Sequence, residues 1–426
     1  MRGTSFRKQV RLLVGLVGCL LLAACTTNGP LTLGERGEVA SGRTIDILYV
    51  TDRNRETAAN GSLTYGSKRS KVMSFGTVAL AETSAKDSAG KPKLQIARVT
   101  EDGAFPAFPY AMEPAEGGVR RTPAAVEAHG LAVAELRAEV SRSLAKAKRK
   151  EIVFFIHGYA NEFDDAAEST GSLCRSLYSE FVCVALTWPA GGSGGAFLGY
   201  NVDRESGEFA VADMKKAIRI IATTPGVEGI HLIAHSRGTD VLVSALQQLG
   251  IEAFVGRSSL AERFKIRNLV LFAADMDMDV ATSKLFGFGS DPDLPVGDKS
   301  NPSGIMRNSN VQLTVYSSPK DRALGLSGRI FGSQTRLGQL SLPKIAANKP
   351  FERPHSAQLA EWIDFIEFNG KAGFIGHSYF LSNPAVNADL VTLIRDGAKA
   401  GDPRRHLVEI RRPFWRLVDT GTQPPS

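Results

Sequence analysis

The chain has 426 residues, 43% hydrophobic and 22% charged, a balance normal for a globular protein with a sizeable core and foreign to disordered or collagen-like chains. Its formal charge is +7, but the first 24 residues contribute four basic and no acidic side chains, leaving +3 for the rest. That is a thin basic field, and no nucleic-acid partner is expected.

Arg2, Arg7, Lys8 and Arg11 precede an apolar run from Leu12 to Ala24. This charged-then-apolar order is that of a secretory signal, and the run is short for a membrane span. It ends Leu22-Ala23-Ala24-Cys25, which resembles the lipobox of bacterial lipoproteins. The resemblance implies cleavage before Cys25 and lipidation of that cysteine; the plain alternative is an ordinary signal peptide with an incidental cysteine. Acyl chains on one residue would hold the chain at a membrane without a spanning helix. Residues 25–44 then read as a flexible tether. Beyond Cys25 only Cys174 and Cys183 remain. Outside the cytoplasm they suit a disulfide, and equally two buried thiols.

Strands are expected at Ile45–Val50, Val72–Leu80 and Leu94–Val99, with a turn at Asn60-Gly61 and an exposed loop over Thr83–Lys93. Gly103–Gly118 reads as irregular. Thr122-Pro123 opens a helix running to about Lys150, whose basic last turn suits the helix dipole. Glu151-Ile-Val-Phe-Phe-Ile156 is the mark of a strand buried on both faces. A helix over Phe163–Tyr178 and a strand over Val182–Leu186 follow. The Gly191–Gly195 run lacks the Gly-Lys-Ser/Thr of a phosphate loop and reads as a mobile loop beside a cleft or as plain linkage. A helix over Ser206–Ala222 leads to the strand Ile230–Ala234. Further strands are expected at Ile266–Ala274 and Val311–Ser317, with a loop-like insertion over Lys284–Asn310. An amphipathic helix is expected from His355 through Ile366, and another helix over Ala385–Ala398. The alternation of strands and helices predicts an α/β fold over residues 45–418, a mostly parallel sheet with helices on both faces and an N-terminal strand extension over 45–121. Residues 419–426 read as a disordered tail.

Ser236 lies on the turn after the apolar run, in Ala234-x-Ser236-x-Gly238. Small residues two before and two after a serine let strand and helix approach closely while the serine takes a strained backbone. Alone, this placement also suits a serine capping a helix. The loop after Ile156, His157-Gly158-Tyr159, is placed to give one backbone N–H to an oxyanion hole and Arg237 the other. His157 itself precedes the nucleophile and reads as structural. Asp321, just past the Val311–Ser317 strand, is the candidate acid, and Asp275 is the second choice; either also suits a helix cap. Asp275, Asp277 and Asp279 alternate, but without the spacing, glycine or glutamate of a calcium loop, and no metal site is assigned. Of the three remaining histidines, His355 opens the amphipathic helix and His406 lies among arginines. His377, in the loop Phe-Ile-Gly376-His377-Ser378, suits a general base. The order Ser236, Asp321, His377 differs from that of trypsin-like or subtilisin-like proteases.

Several segments together resemble the bacterial alpha/beta-hydrolase family of unknown function: Tyr49-Val-Thr-Asp52-Arg53, Ser74-Phe-Gly76, Phe155-Ile-His157-Gly158-Tyr159, Thr187-Trp188-Pro189, Asp203-Arg-Glu-Ser206, His235-Ser236-Arg237-Gly238, Asp321-Arg-Ala-Leu324 and Gly376-His377-Ser378-Tyr379-Phe380. They span about residues 45–395. The resemblance implies the alpha/beta-hydrolase fold with Ser236, Asp321 and His377 as triad, and leaves the substrate open. Arg237 stands where methionine is expected, and its charge beside the oxyanion hole favours an anionic or polar substrate. The expectation is a lipid-anchored carboxylic-ester hydrolase of the cell envelope, acting on a small-molecule ester and needing no cofactor. The alternative is a non-catalytic envelope protein that binds or scaffolds on the same fold.

Overall fold

The structure, a computed structural model, describes residues 44–86, 90–192, 195–290, 293, 311–330, 335–341, 362–370 and 383–418. Residues 1–43, which include the proposed signal and Cys25, and the tail 419–426 lie outside them. Long apolar runs with few charges become strands buried on both faces. These are β6 (Glu151–Ile156), β7 (Val182–Thr187), β8 (Gly229–His235), β9 (Ile266–Phe272) and β10 (Gln312–Ser317). The first strands, β1 (Ile45–Thr57), β2 (Leu63–Lys86) and β3 (Pro92–Ala104), run longer than their apolar centres, and the Asn60-Gly61 turn joins the first two with Gly61 at φ +82°. Thr83–Lys86 belongs to β2 rather than to a loop, because Glu82 and Lys86 still pair with β3.

The chain stretch expected to be irregular carries a hairpin of β4 (Met112–Ala115) and β5 (Gly118–Arg121). Another difference concerns the helix expected from His355 through Ile366. Residues 355–361 lie outside the described residues, and Ile363–Phe368 is strand β11, parallel to β10. The apolar spacing of Ile363 and Ile366 fits a helix, yet the run Ile363-Asp-Phe-Ile-Glu-Phe368 is β-branched and aromatic, and the sheet edge offered by β10 decides the matter. The arginine-rich end forms β12 (Leu407–Arg411) and β13 (Phe414–Leu417). Phe414 and Trp415 are buried there, and Trp415 Nε1 donates to Asp364 Oδ1 at 2.9 Å.

The sheet order is β12-β13-β11-β10-β9-β8-β6-β7-β1-β2-β3, parallel from β13 through β1 and antiparallel at both ends. Alternate side chains feed two cores. On one face Leu48, Phe154, Leu232, Leu269 and Leu313 pack under α1 (Pro123–Lys146), α3 (Gly195–Ala222), α4 (Gly238–Val255), α5 (Leu260–Phe264) and α6 (Met278–Ser290). On the other Tyr49, Phe155, Ile233, Val270 and Tyr316 pack against α2 (Phe163–Ser176), α7 (Arg322–Ile330) and α8 (Pro384–Asp396). One helix starts earlier than expected, and another forms where none was expected. α3 starts at Gly195 rather than Ser206, and Lys284–Ser290 is the end of α6 rather than loop, held by Lys284 Nζ on Asp240 Oδ1 and Ser244 Oγ, both at 2.7 Å. Cys174 of α2 and Cys183 of β7 form a disulfide, their Cα atoms 6.0 Å apart.

The topology fixes where a site can form. The chain goes from β6 outward to β7, then returns to place β8 on the other side of β6, so the direction of winding reverses between β6 and β8. In open parallel sheets, the loops leaving the carboxyl ends of such strands part there and leave a crevice.

Candidate active site

Ser236 leaves β8 at that crevice with φ +53°, a left-handed conformation that non-glycine residues adopt only when their surroundings hold them. Its N–H donates to Phe272 O at 3.0 Å, and its carbonyl accepts from Thr239 N (3.1 Å), Thr239 Oγ1 (2.6 Å) and Asp275 N (3.2 Å). Strand β9 and the first turn of α4 thus fix the bend from both sides. Glycine is required next to it. A Cβ on Gly238 would stand 2.1 Å from His157 O, and one on Gly158 would stand 2.8 Å from Ser236 Cβ. The loop after β6 therefore lies directly on the serine turn.

That loop is rigid for visible reasons. His157 is fully buried, and its ring stacks on Trp188 with centroids 5.1 Å apart and planes 5° from parallel. Its Nε2 accepts from Trp188 N (3.1 Å) and Arg53 Nη2 (3.3 Å), so the ring proton sits on Nδ1 and donates to Gly158 O at 2.9 Å. Burial and then the Arg53 charge hold its pKa well below the ordinary value. His157 is neutral and structural, as its place before the nucleophile suggested. Tyr159 comes next, its ring 5.3 Å from that of Tyr200 on α3. Arg237 N-caps α4, and the N–H groups of such a first turn point out of the helix. Its guanidinium is buried and paired to Asp240 Oδ2 at 2.6 Å. Burial opposes that charge, yet Asp240 and the nearby Tyr200 and Asp275 raise its pKa. Asp240, shared with Lys284, thus engages the charge that the sequence reading offered to substrate.

Both candidate acids lie at carboxyl ends of neighbouring strands, Asp275 after β9 and Asp321 after β10, and both are buried. Asp275 Oδ2 accepts from the Tyr200 hydroxyl at 2.6 Å, its Oδ1 accepts from Ser327 Oγ at 2.9 Å, and Arg336 Nη1 stands 3.5 Å from Oδ1. It joins α3, α7 and the segment 335–341. Asp321 Oδ1 caps α7 by accepting from Leu324 N at 3.0 Å, and its carbonyl accepts from Gln339 Nε2. His377 lies outside the described residues, as do His355 and the rest of residues 371–382. Strand β11 ends at Phe368, nine residues before His377, and its Glu367 is in register with Ser317 of β10. Asp277 caps α6 through Oδ1, accepting from Asp279 N (2.9 Å) and Val280 N (3.3 Å). Among the described residues no group of three metal-ligating side chains converges.

Sequence reading passed over Arg53 and Asp203 as site residues, although both stood in the quoted segments. Asp203 Oδ2 accepts from Ala160 N at 3.0 Å and Gly191 N at 3.2 Å. Apart from those segments, the sequence offered only an arginine just past an apolar strand and an aspartate in a polar stretch, residue types that are usually solvent-facing.

A parallel sheet with a reversal of winding and a strained serine turn at that reversal define an alpha/beta hydrolase. The family model described as alpha/beta hydrolase of unknown function (DUF900) matches residues 132–396, more than half of the chain, and the chain belongs to that family. Three solved structures show partial likeness. Esterase B from Lactobacillus rhamnosis, inhibited by a tributyrin phosphonate, is 15% identical at a TM-score of 0.32, over 59% of this chain and 78% of that one. Carboxylesterase CesB from Bacillus subtilis is 10% identical at 0.29, over 63% and 99%. An esterase from Pyrobaculum calidifontis is 10% identical at 0.32, over 92% and 94%. At these scores the likeness says nothing about substrate. No match was found among curated proteins. No helix among the described residues is long and apolar enough to cross a membrane.

Proposed function

We propose that this chain is a serine hydrolase that cleaves carboxylic esters through an acyl-enzyme. Ser236 Oγ attacks the ester carbonyl while His377 takes its proton; the tetrahedral oxyanion is held by the amides of Tyr159 and Arg237; His377 then protonates the departing alcohol. Water, deprotonated by His377, releases the acid and restores Ser236. Asp321 orients His377 and stabilises its charged form. None of these steps calls for a cofactor. The observation that carries the reading is Ser236 at φ +53° on the winding reversal, with Gly158 packed against its Cβ.

In the same reading the chain is held at the cell envelope by lipid on Cys25, a step supported by Leu22-Ala-Ala-Cys25 after a charged and apolar leader. Labelling of residues 26–426 with a fluorophosphonate, followed by hydrolysis of short-chain and long-chain nitrophenyl esters, tests the chemistry. Labelling that disappears in Ser236→Ala and His377→Ala supports it. A folded wild type that neither labels nor hydrolyses any ester points instead to the non-catalytic envelope protein. Incorporation of radiolabelled palmitate into the full chain, abolished by Cys25→Ser, tests the anchor.

A further inference from the structure

We infer that Arg53 and Asp203 are positioning residues for the oxyanion loop, gripping residues 158–161 from two sides so that the Tyr159 amide stays aimed at the reacting carbonyl. The inference rests on the serine-hydrolase reading and adds to it one residue from β1 and one from α3.

Arg53 is 1% exposed, and every guanidinium N–H has an acceptor. Nε donates to Thr187 Oγ1 (2.8 Å), Nη1 to Gly66 O (3.1 Å) and Ala190 O (2.9 Å), and Nη2 to Asn161 O (2.6 Å) and His157 Nε2 (3.3 Å). Of these five acceptors, Asn161 O lies in the gripped loop and His157 Nε2 directly before it, while Thr187 Oγ1 ends β7 and Ala190 O follows that strand. The side chain is turned inward by the strand itself. β1 stays in register with β7 up to Thr51 and Thr187, and its pairing with β2 slips between Thr51 and Arg53 and again before Arg55. Irregularities of this kind re-aim a side chain at the end of a ladder.

Asp203, 2% exposed, grips the same loop from α3 through Ala160 N. Between the two grips lies Ala160 at φ +56°. A non-glycine residue in the left-handed region springs back unless its neighbours over-determine it. Here its own N–H is fixed by Asp203, and the next carbonyl, Asn161 O, by Arg53. The strained residue directly follows Tyr159, so the direction of the Tyr159 peptide depends on both grips. The opposite charges of the two gripping groups also attract each other.

Oxyanion donors act on charge present only in the transition state, so a loop let slip lowers kcat and leaves KM almost unchanged. Arg53→Lys keeps the charge but loses the fork that reaches five acceptors; Asp203→Asn keeps the shape and weakens the acceptor. Each variant, made in residues 26–426 and verified as folded by circular dichroism, is assayed for nitrophenyl ester hydrolysis and for amide exchange of peptides covering 157–163 and, as reference, 229–235. Expected is a kcat lower by roughly 10- to 100-fold, as for partial loss of one oxyanion donor, with KM within about threefold and faster exchange confined to 157–163. Two folded variants that keep kcat, or that raise KM alone, overturn the inference, as does unchanged exchange in 157–163. A wild type without esterase activity brings down the hydrolase reading on its own, and the exchange measurement then still decides whether Arg53 and Asp203 hold the loop.

Discussion

The hydroxyl of Tyr200 donates a 2.6 Å hydrogen bond to Asp275 Oδ2, tying the first turns of α3 to the end of β9 beside the serine turn. Burial, and then the Asp275 charge, raise the tyrosine's pKa, so the hydroxyl keeps its proton and the bond persists through the neutral range. Removing it in Tyr200→Phe leaves a buried carboxylate oxygen short of a partner. The expected loss is about 1–3 kcal/mol, measured by urea unfolding.

The choice of acid is decided by two conservative variants. Asp321→Asn leaves the shape of the β10 end intact and deprives His377 of its orienting charge; under the proposed mechanism kcat falls on the order of 10⁴-fold. Asp275→Asn instead disturbs the Tyr200, Ser327 and Arg336 network. Its expected signature is a lower unfolding midpoint with kcat within about tenfold of wild type, the usual sign of a supporting rather than a catalytic carboxylate. The reverse pattern in steady-state ester hydrolysis would transfer the role to Asp275.

Gly238→Ala tests the close approach of α4 to the loop after β6. The added methyl meets a backbone carbonyl, His157 O, which no rotamer change relieves. A cost of about 1–3 kcal/mol is expected from overpacking, read as a lower thermal midpoint, with the proposed esterase activity lost in step because Ser236 shifts.

The Cys174–Cys183 disulfide closes a short loop between α2 and β7. Chain-entropy reasoning for a loop of this size gives about 2–3 kcal/mol. Thermal melts with and without a phosphine reductant are expected to differ by several degrees, and the difference should vanish in the Cys174→Ala, Cys183→Ala double variant.

Glu180 gathers Arg395, Lys148 and Arg149. Hydrogen bonds from Arg395 and then Lys148 lower its pKa from 4.5 to about 2. A carboxyl with a depressed folded-state pKa contributes stability that is present above the unfolded value and lost as pH falls toward the folded one. Stability profiles of wild type and Glu180→Gln are therefore expected to differ above pH 4.5 and to converge as the pH drops to about 2.

Much of this protein is legible before folding. Runs such as Glu151–Ile156 and Gly229–His235 need burial on both faces, so their strands, the parallel sheet and the serine turn between Ala234 and Gly238 follow from local composition and spacing. Tertiary structure alone decided other things. Ile363–Phe368 pairs with β10 because a sheet edge competes with helical spacing, and Arg405, one of the arginines around His406, is buried in a two-pronged pair with Asp389, both contacts at 2.8 Å. Arg53 and Asp203 reach the loop after β6 from sequence distances of 108 and 43 residues, and no local pattern encodes such a meeting. A sequence shows what each segment must bury. Which partner meets each buried charge is set only when distant segments close on one another, because a buried ion is tolerated only where the whole fold supplies its counterparts.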